Sequence, residues 1–236
     1  MIRIHHYGRT VGRELTDEQA ARLRALGPEV EVGPSWFEAD YEFDPETNPS
    51  ISFHKLSPMF DFLFYFHGHG EMAVSFRLPA HLAERVRPYV TDDGDGLGYG
   101  NAVASRIEGD TLVVTISRFA DDDEMTYWLE RPELWPGMIR PLHDDLIAGD
   151  MSALYVGWRM VSRMKRWPHR RPEPTPPPVP ARLRDHDLDT PRTWPRALSD
   201  LDKMLRLPDW STEDLGPDWP RKSEPETRTR GGRRTW

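Results

Sequence analysis

The stretch YFHGHGEMAV, Tyr65–Val74, sets His67 and His69 two residues apart, with Glu71 two further on. On a continuous strand both histidines would point to one face and could bind a single zinc, with Glu71 close by. A catalytic zinc needs a third protein ligand, and His54 or His5 would serve only if the topology brought one of them near. The glycines favour a different reading. Gly68 and Gly70 suit a turn, and the apolar runs FLFYF and MAVSF leave His67–Gly70 as the loop of a hairpin, which is the reading we prefer.

Carboxylates supply a second candidate. Asp92, Asp93 and Asp95 lie just before the expected strand at Ala102, and Asp121, Asp122, Asp123 and Glu124 follow its returning partner. An antiparallel hairpin would gather them at one end of the body, where they could hold a hard cation or accept a basic peptide. Counting twelve residues from Asp92 or Asp93 reaches Val103 or Ala104 rather than a bidentate glutamate, so the calcium-loop pattern fails. Two solvated acidic loops are the plainer account.

Several chemistries are excluded outright. The chain has no cysteine, so there are no disulfides, thiolate zinc sites or cysteine nucleophiles. It has no G-x-S-x-G elbow, and GDGLGYG lacks the lysine and following helix that would make it a phosphate loop. No cofactor is expected beyond the divalent metal already considered.

The C-terminal region is the least ordinary part. Trp167, Trp194, Trp210, Trp219 and Trp236 place five of the nine tryptophans after residue 165. Linkers are depleted in aromatics, whereas docking segments use them as anchors, so Trp194, Trp210, Trp219 and Trp236 are candidate partner-binding residues. Asp121, Asp122 and Asp123 form a second candidate contact. Residues 1–165 carry 16 Lys+Arg against 27 Asp+Glu, and residues 166–236 carry 15 against 12, so the body is acidic and the tail mildly basic. The tail could lie back on its own body or bind another protein. PPPVPAR contains P-x-x-P-x-R at Pro177, Pro180 and Arg182, a spacing that SH3-type grooves read. Six Lys+Arg from Arg221 onward are offset by Glu224 and Glu226, which weakens a nucleic-acid reading.

These residues need a scaffold, and the patterns predict one. IRIHHY alternates as a strand. Thr16 and Gln19 form a capping box for a helix with Ala20, Leu23 and Leu26 inward, stopped by Gly27. A segment broken at Gly33-Pro34 follows, then two hairpins. From about Met125 the period becomes helical: Leu142, Leu146 and Ile147 form a stripe, Gly149 ends that helix, Asp150 caps the next, and Leu154, Trp158 and Val161 face inward. Six prolines between Arg171 and Pro180 read as a polyproline spacer, and Leu198, Leu201 and Leu205 as one side of a short helix. The expected fold is α+β: a mostly antiparallel sheet with an N-terminal strand–helix–strand and a closing helix pair. The expected division is an acidic body over 1–165, a Pro-rich spacer over 166–193, and a helix with a Trp-containing basic tail over 194–236.

The string PLHDDLIAGDMSALYVGWRM, with LTDEQAARLRAL and FRLP, resembles a group of bacterial proteins of similar length without assigned function. The matching residues are packing and capping residues, so the resemblance implies no activity. No apolar signal core and no run of about 18 apolar residues occurs, so no membrane association is expected and a cytoplasmic location is. The expected function is a non-enzymatic accessory or adaptor subunit that binds a protein partner. The alternative is a metal-dependent hydrolase using His67, His69 and the acidic cluster.

Overall fold

A computed structural model describes residues 2–27, 29–43, 53–67, 71–91, 102–119, 135–163 and 176–205. Its centre is a seven-stranded sheet in the order β2-β3-β1-β4-β5-β7-β6. The strands are β1 (Ile2–Arg9), β2 (Val30–Val32), β3 (Trp36–Phe43), β4 (Phe62–His67), β5 (Glu71–Pro79), β6 (Ala102–Glu108) and β7 (Thr111–Phe119). Every adjacent pair is antiparallel. The expected α+β class and antiparallel sheet are what the chain adopts.

Helix α1 (Asp17–Arg24) starts as its cap predicts, with Gln19 N donating to Thr16 Oγ1 at 3.1 Å and Thr16 N to Gln19 Oε1 at 2.9 Å. Leu23 is its buried residue, while Leu26 is 37% exposed. The helix stops at Arg24, so Leu26 sits beyond the periodic face that was expected to carry it inward. A one-turn helix α2 (Phe53–Leu56) precedes β4, and a second, α3 (Ala83–Val86), follows β5.

Cross-strand partners share a face of the sheet, so the register assigns each residue to one side. On one face of the N-terminal strands, Ile4, Phe37, Ala39, Tyr41 and Leu63 pack with Leu23, Leu56, Met59 and Phe60. On the opposite face of the other strands, Phe62, Phe64, Val74, Phe76, Val103, Val114 and Ile116 are buried. Helices α4 (Trp135–Ile147), α5 (Ser152–Arg163) and α6 (Arg196–Leu205) cover this second face. His143 of α4 meets the Phe62 ring, and a Cβ added to Gly157 of α5 would stand 2.9 Å from Ile116. The sheet therefore carries two cores on opposite sides.

Gly149 ends α4 at φ +85°, and Asp150 caps α5 by accepting from Ser152 N at 2.9 Å. Leu142 and Leu146 are fully buried as expected, but Ile147 is 42% exposed in the last turn. The compact unit runs from Met1 to Arg206, so a boundary at residue 165 falls inside it. Leu207–Trp236 lies outside the described residues. No described helix is long and apolar enough to cross a membrane.

Gly8 of β1 lies beneath the stacked rings of Phe37 and Phe60, whose centroids are 4.9 Å apart. A Cβ there would approach Phe60 to 2.7 Å and Phe37 to 2.8 Å. Gly8→Ala should lower stability by about 1–3 kcal/mol through overpacking, read from the denaturant midpoint of the purified chain.

Candidate functional site

The two candidate histidines begin at the end of β4. His67 is the last residue of that strand and pairs with Glu71 across the hairpin, so the loop is one residue shorter than the expected His67–Gly70. His69 lies outside the described residues. The register sets Ile4 opposite His67 and His5 opposite Phe66. Among the described residues, no group of three or more His, Asp or Glu is arranged to hold a metal ion.

Glu71 stands out for a different reason. Burial pushes its carboxyl above the ordinary carboxylate range. A carboxyl raised by folding holds its proton more tightly in the folded chain. Its contribution to stability is therefore present below the ordinary range and lost as pH rises through the raised value. Glu71→Gln should raise the thermal midpoint at neutral pH, and the difference from wild type should vanish on acidification in paired melting curves.

A second cluster occupies the sheet face that α1 does not cover. The pairing of β1 with β3 and of β3 with β2 places His5, Tyr7, Arg9, Glu31, Glu38 and Asp40 on that face. His5 is buried, with Nε2 3.4 Å from Glu38 and Nδ1 3.9 Å from Asp40. Burial pushes the Glu38 carboxyl up against the lowering pull of His5, and Glu31 and Asp40 add to the rise. Burial likewise raises the Tyr7 hydroxyl, and Arg9 opposes it by charge and hydrogen bond. Such a grouping sets a buried imidazole near two carboxylates. Sequence reasoning missed it because the strands concerned are separated by α1 and β2, and alternation alone does not reveal which strands pair. His6, on the opposite face, is a core histidine packed among Phe37, Tyr41 and Tyr65, with ring centroids 5.0–6.3 Å away.

The third feature is a strap. The expected spacer up to residue 193 and the short helix after it pack, over residues 176–205, within the unit that ends at Arg206. Pro177, Pro180 and Leu183 are buried, and Tyr89 donates its hydroxyl to the Pro178 carbonyl at 3.0 Å. The P-x-x-P-x-R residues are thus engaged in the fold, with Arg182 bridging Asp145 and Asp150. Further on, Arg159 holds the Leu188 carbonyl and the Asp189 carboxylate. The carboxylate of Asp187 accepts from Asp189 N and Thr190 Oγ1, which pulls it below the usual carboxylate range.

Trp194 is the strap's central residue. It is 5% exposed, donates from Nε1 to the Asp187 carbonyl at 3.1 Å, and lies 5.7 Å beneath the Arg159 guanidinium. Of the two expected modes, docking on its own body or on another protein, its ring is covered by its own chain. Leu198, Leu201 and Leu205 of α6 are buried as their spacing predicts. Buried Arg118 of β7 donates to the Met204 carbonyl at 3.1 Å, placing a cation at the negative end of the α6 dipole. Trp210, Trp219, Trp236, Asp121, Asp122 and Asp123 lie outside the described residues.

Trp194→Ala should destabilise the protein by about 3–5 kcal/mol, as expected for deleting a buried aromatic, when measured by chemical denaturation. No family model, curated protein or solved structure matches this chain.

Proposed function

We propose that the protein is a non-enzymatic accessory or adaptor subunit of a bacterial multi-protein system, acting in the cytoplasm, and that it offers residues 207–236 to a protein partner. The strap carries this reading. Arg118, Arg159 and Arg182 hold residues 176–205 to the body, so the described chain is anchored up to Leu205. An anchored root reduces the ordering cost that a partner must overcome when it captures the rest.

The segment's composition suits capture. It holds Trp210, Trp219 and Trp236, an acidic first part with Asp209, Glu213, Asp214 and Asp218, and a basic end from Arg221 to Arg234. Tryptophan and arginine are the residues that most often dominate binding energy at protein interfaces. Asp121, Asp122 and Asp123 would offer a second, acidic contact.

A second reading, a metal-dependent hydrolase working through His67, His69 and the acidic cluster, draws support from Glu71. A carboxyl raised by burial beside His67 in the register is the kind of group a general acid requires.

One comparison separates the two. Full-length protein and a Trp210→Ala/Trp219→Ala/Trp236→Ala variant are used as bait in the host lysate, and each is assayed for bound metal. The adaptor reading expects a partner held by wild type and lost by the triple variant, with His67→Ala/His69→Ala retaining it. Near-stoichiometric metal that disappears with the two histidines would overturn it in favour of the hydrolase.

A further inference from the structure

Strand β6 is the outermost strand at its end of the sheet, beyond β7. The direction of its outer backbone groups follows from one residue. Val103 turns its amide and carbonyl away from β7 to Thr91, through Val103 N to Thr91 Oγ1 and Thr91 N to Val103 O, both 2.8 Å. Alternation along the strand then turns the main-chain groups of Ser105 and Ile107 to the same outer side, where no described residue bonds them. Among the described residues, Thr91 closes the first of these three positions and none closes the next two. Ile107 is also 60% exposed, the most exposed large apolar residue among those described.

From these observations we infer that two copies of this chain pair antiparallel through their β6 edges, joining two sheets into one. The occupant follows from the strand's own sequence. Placing a two-fold axis at Ile107 sets Ile107 against its counterpart in the second copy, with both outward amides and carbonyls exchanged. The same axis sets Arg106 opposite Glu108 of the second copy, and Glu108 opposite its Arg106. Arg106 and Glu108 already pair within one chain, Nε to Oε1 at 2.5 Å, on the face shared by alternate residues. Juxtaposition of two such pairs gives four charges alternating in sign, which is favourable for this register. A shift of one residue in either direction loses the Ile107 contact.

The dimer goes beyond the adaptor reading and does not rest on it, because it uses the edge of the body rather than the tail. Sedimentation equilibrium of the full-length protein from low to several hundred micromolar should show a monomer–dimer equilibrium. Ile107→Lys, at an exposed position, should abolish the dimer while leaving unchanged the melting curve recorded at a concentration where wild type is monomeric. Arg106→Glu places glutamate opposite Glu108 twice and should weaken association by about tenfold or more. Arg106→Glu combined with Glu108→Arg restores the alternation and should recover it.

Because the chain has no native cysteine, Ile107→Cys provides an independent readout. Directly opposed positions in an antiparallel pair are about 5.5 Å apart at Cα, within disulfide reach, so mild oxidation should yield a covalent dimer. Cysteine at exposed Leu26 should not. A wild-type protein that stays monomeric throughout this range would overturn the inference. So would a dimer indifferent to Ile107→Lys, since it would form through another surface.

Discussion

Phe62, Phe64 and Phe66 on one face of β4, and Leu63 on the other, leave that strand no side on which to meet water. A strand buried on both faces must sit inside a sheet with a cover above and another below. The chain meets the requirement with different material on each side. The segment around Leu56–Phe60 and α1 close one face over β1 and β3, and α4, α5 and α6 close the other over β5, β7 and β6. Strand β4 is where the two cores adjoin.

That arrangement explains why the strap belongs to the body. Helices α4 and α5 alone do not supply the whole second layer, and α6 brings Leu198, Leu201, Met204 and Leu205 into it. Charge places the approach. The acidic body and the mildly basic C-terminal region meet where Arg182 reaches Asp145 and Asp150, although Arg159 reverses the pattern by projecting from the body to Asp189. Ion pairs with one exposed partner contribute little alone. The burial of Trp194, Leu183 and the α6 leucines supplies the larger part, and the arginines set the path.

The same constraint leaves polar residues, His5 among them buried, on the faces opposite each core. The His5, Glu38 and Asp40 cluster lies on the side of the N-terminal strands opposite their core, and Arg106 and Glu108 lie on the side of β6 opposite α5. A dimer through β6 would carry two copies of residues 207–236. Bivalent presentation of that kind raises apparent affinity without any new contact. Under the proposed function, pairing through the edge strand and capture through residues 207–236 are compatible.

Local rules carried far along this chain. The capping box at Thr16, the hairpins around residues 68–70 and 109–110, the Gly149–Asp150 junction and the leucine spacing of α6 are each decided by neighbours within a few residues, so the sequence by itself determined them. Solvent exposure at helix ends was less legible, as Leu26 and Ile147 show, because periodicity does not say where a helix stops relative to its partner. Tertiary structure alone decided the rest. It put β1 between β3 and β4, set Ile4 rather than His5 opposite His67, and buried Pro177, Pro180 and Leu183 of a region that composition described as a spacer. Such outcomes depend on which apolar faces remain to be covered once the sheet has formed. That is a sum over residues far apart in the chain, which no local pattern records.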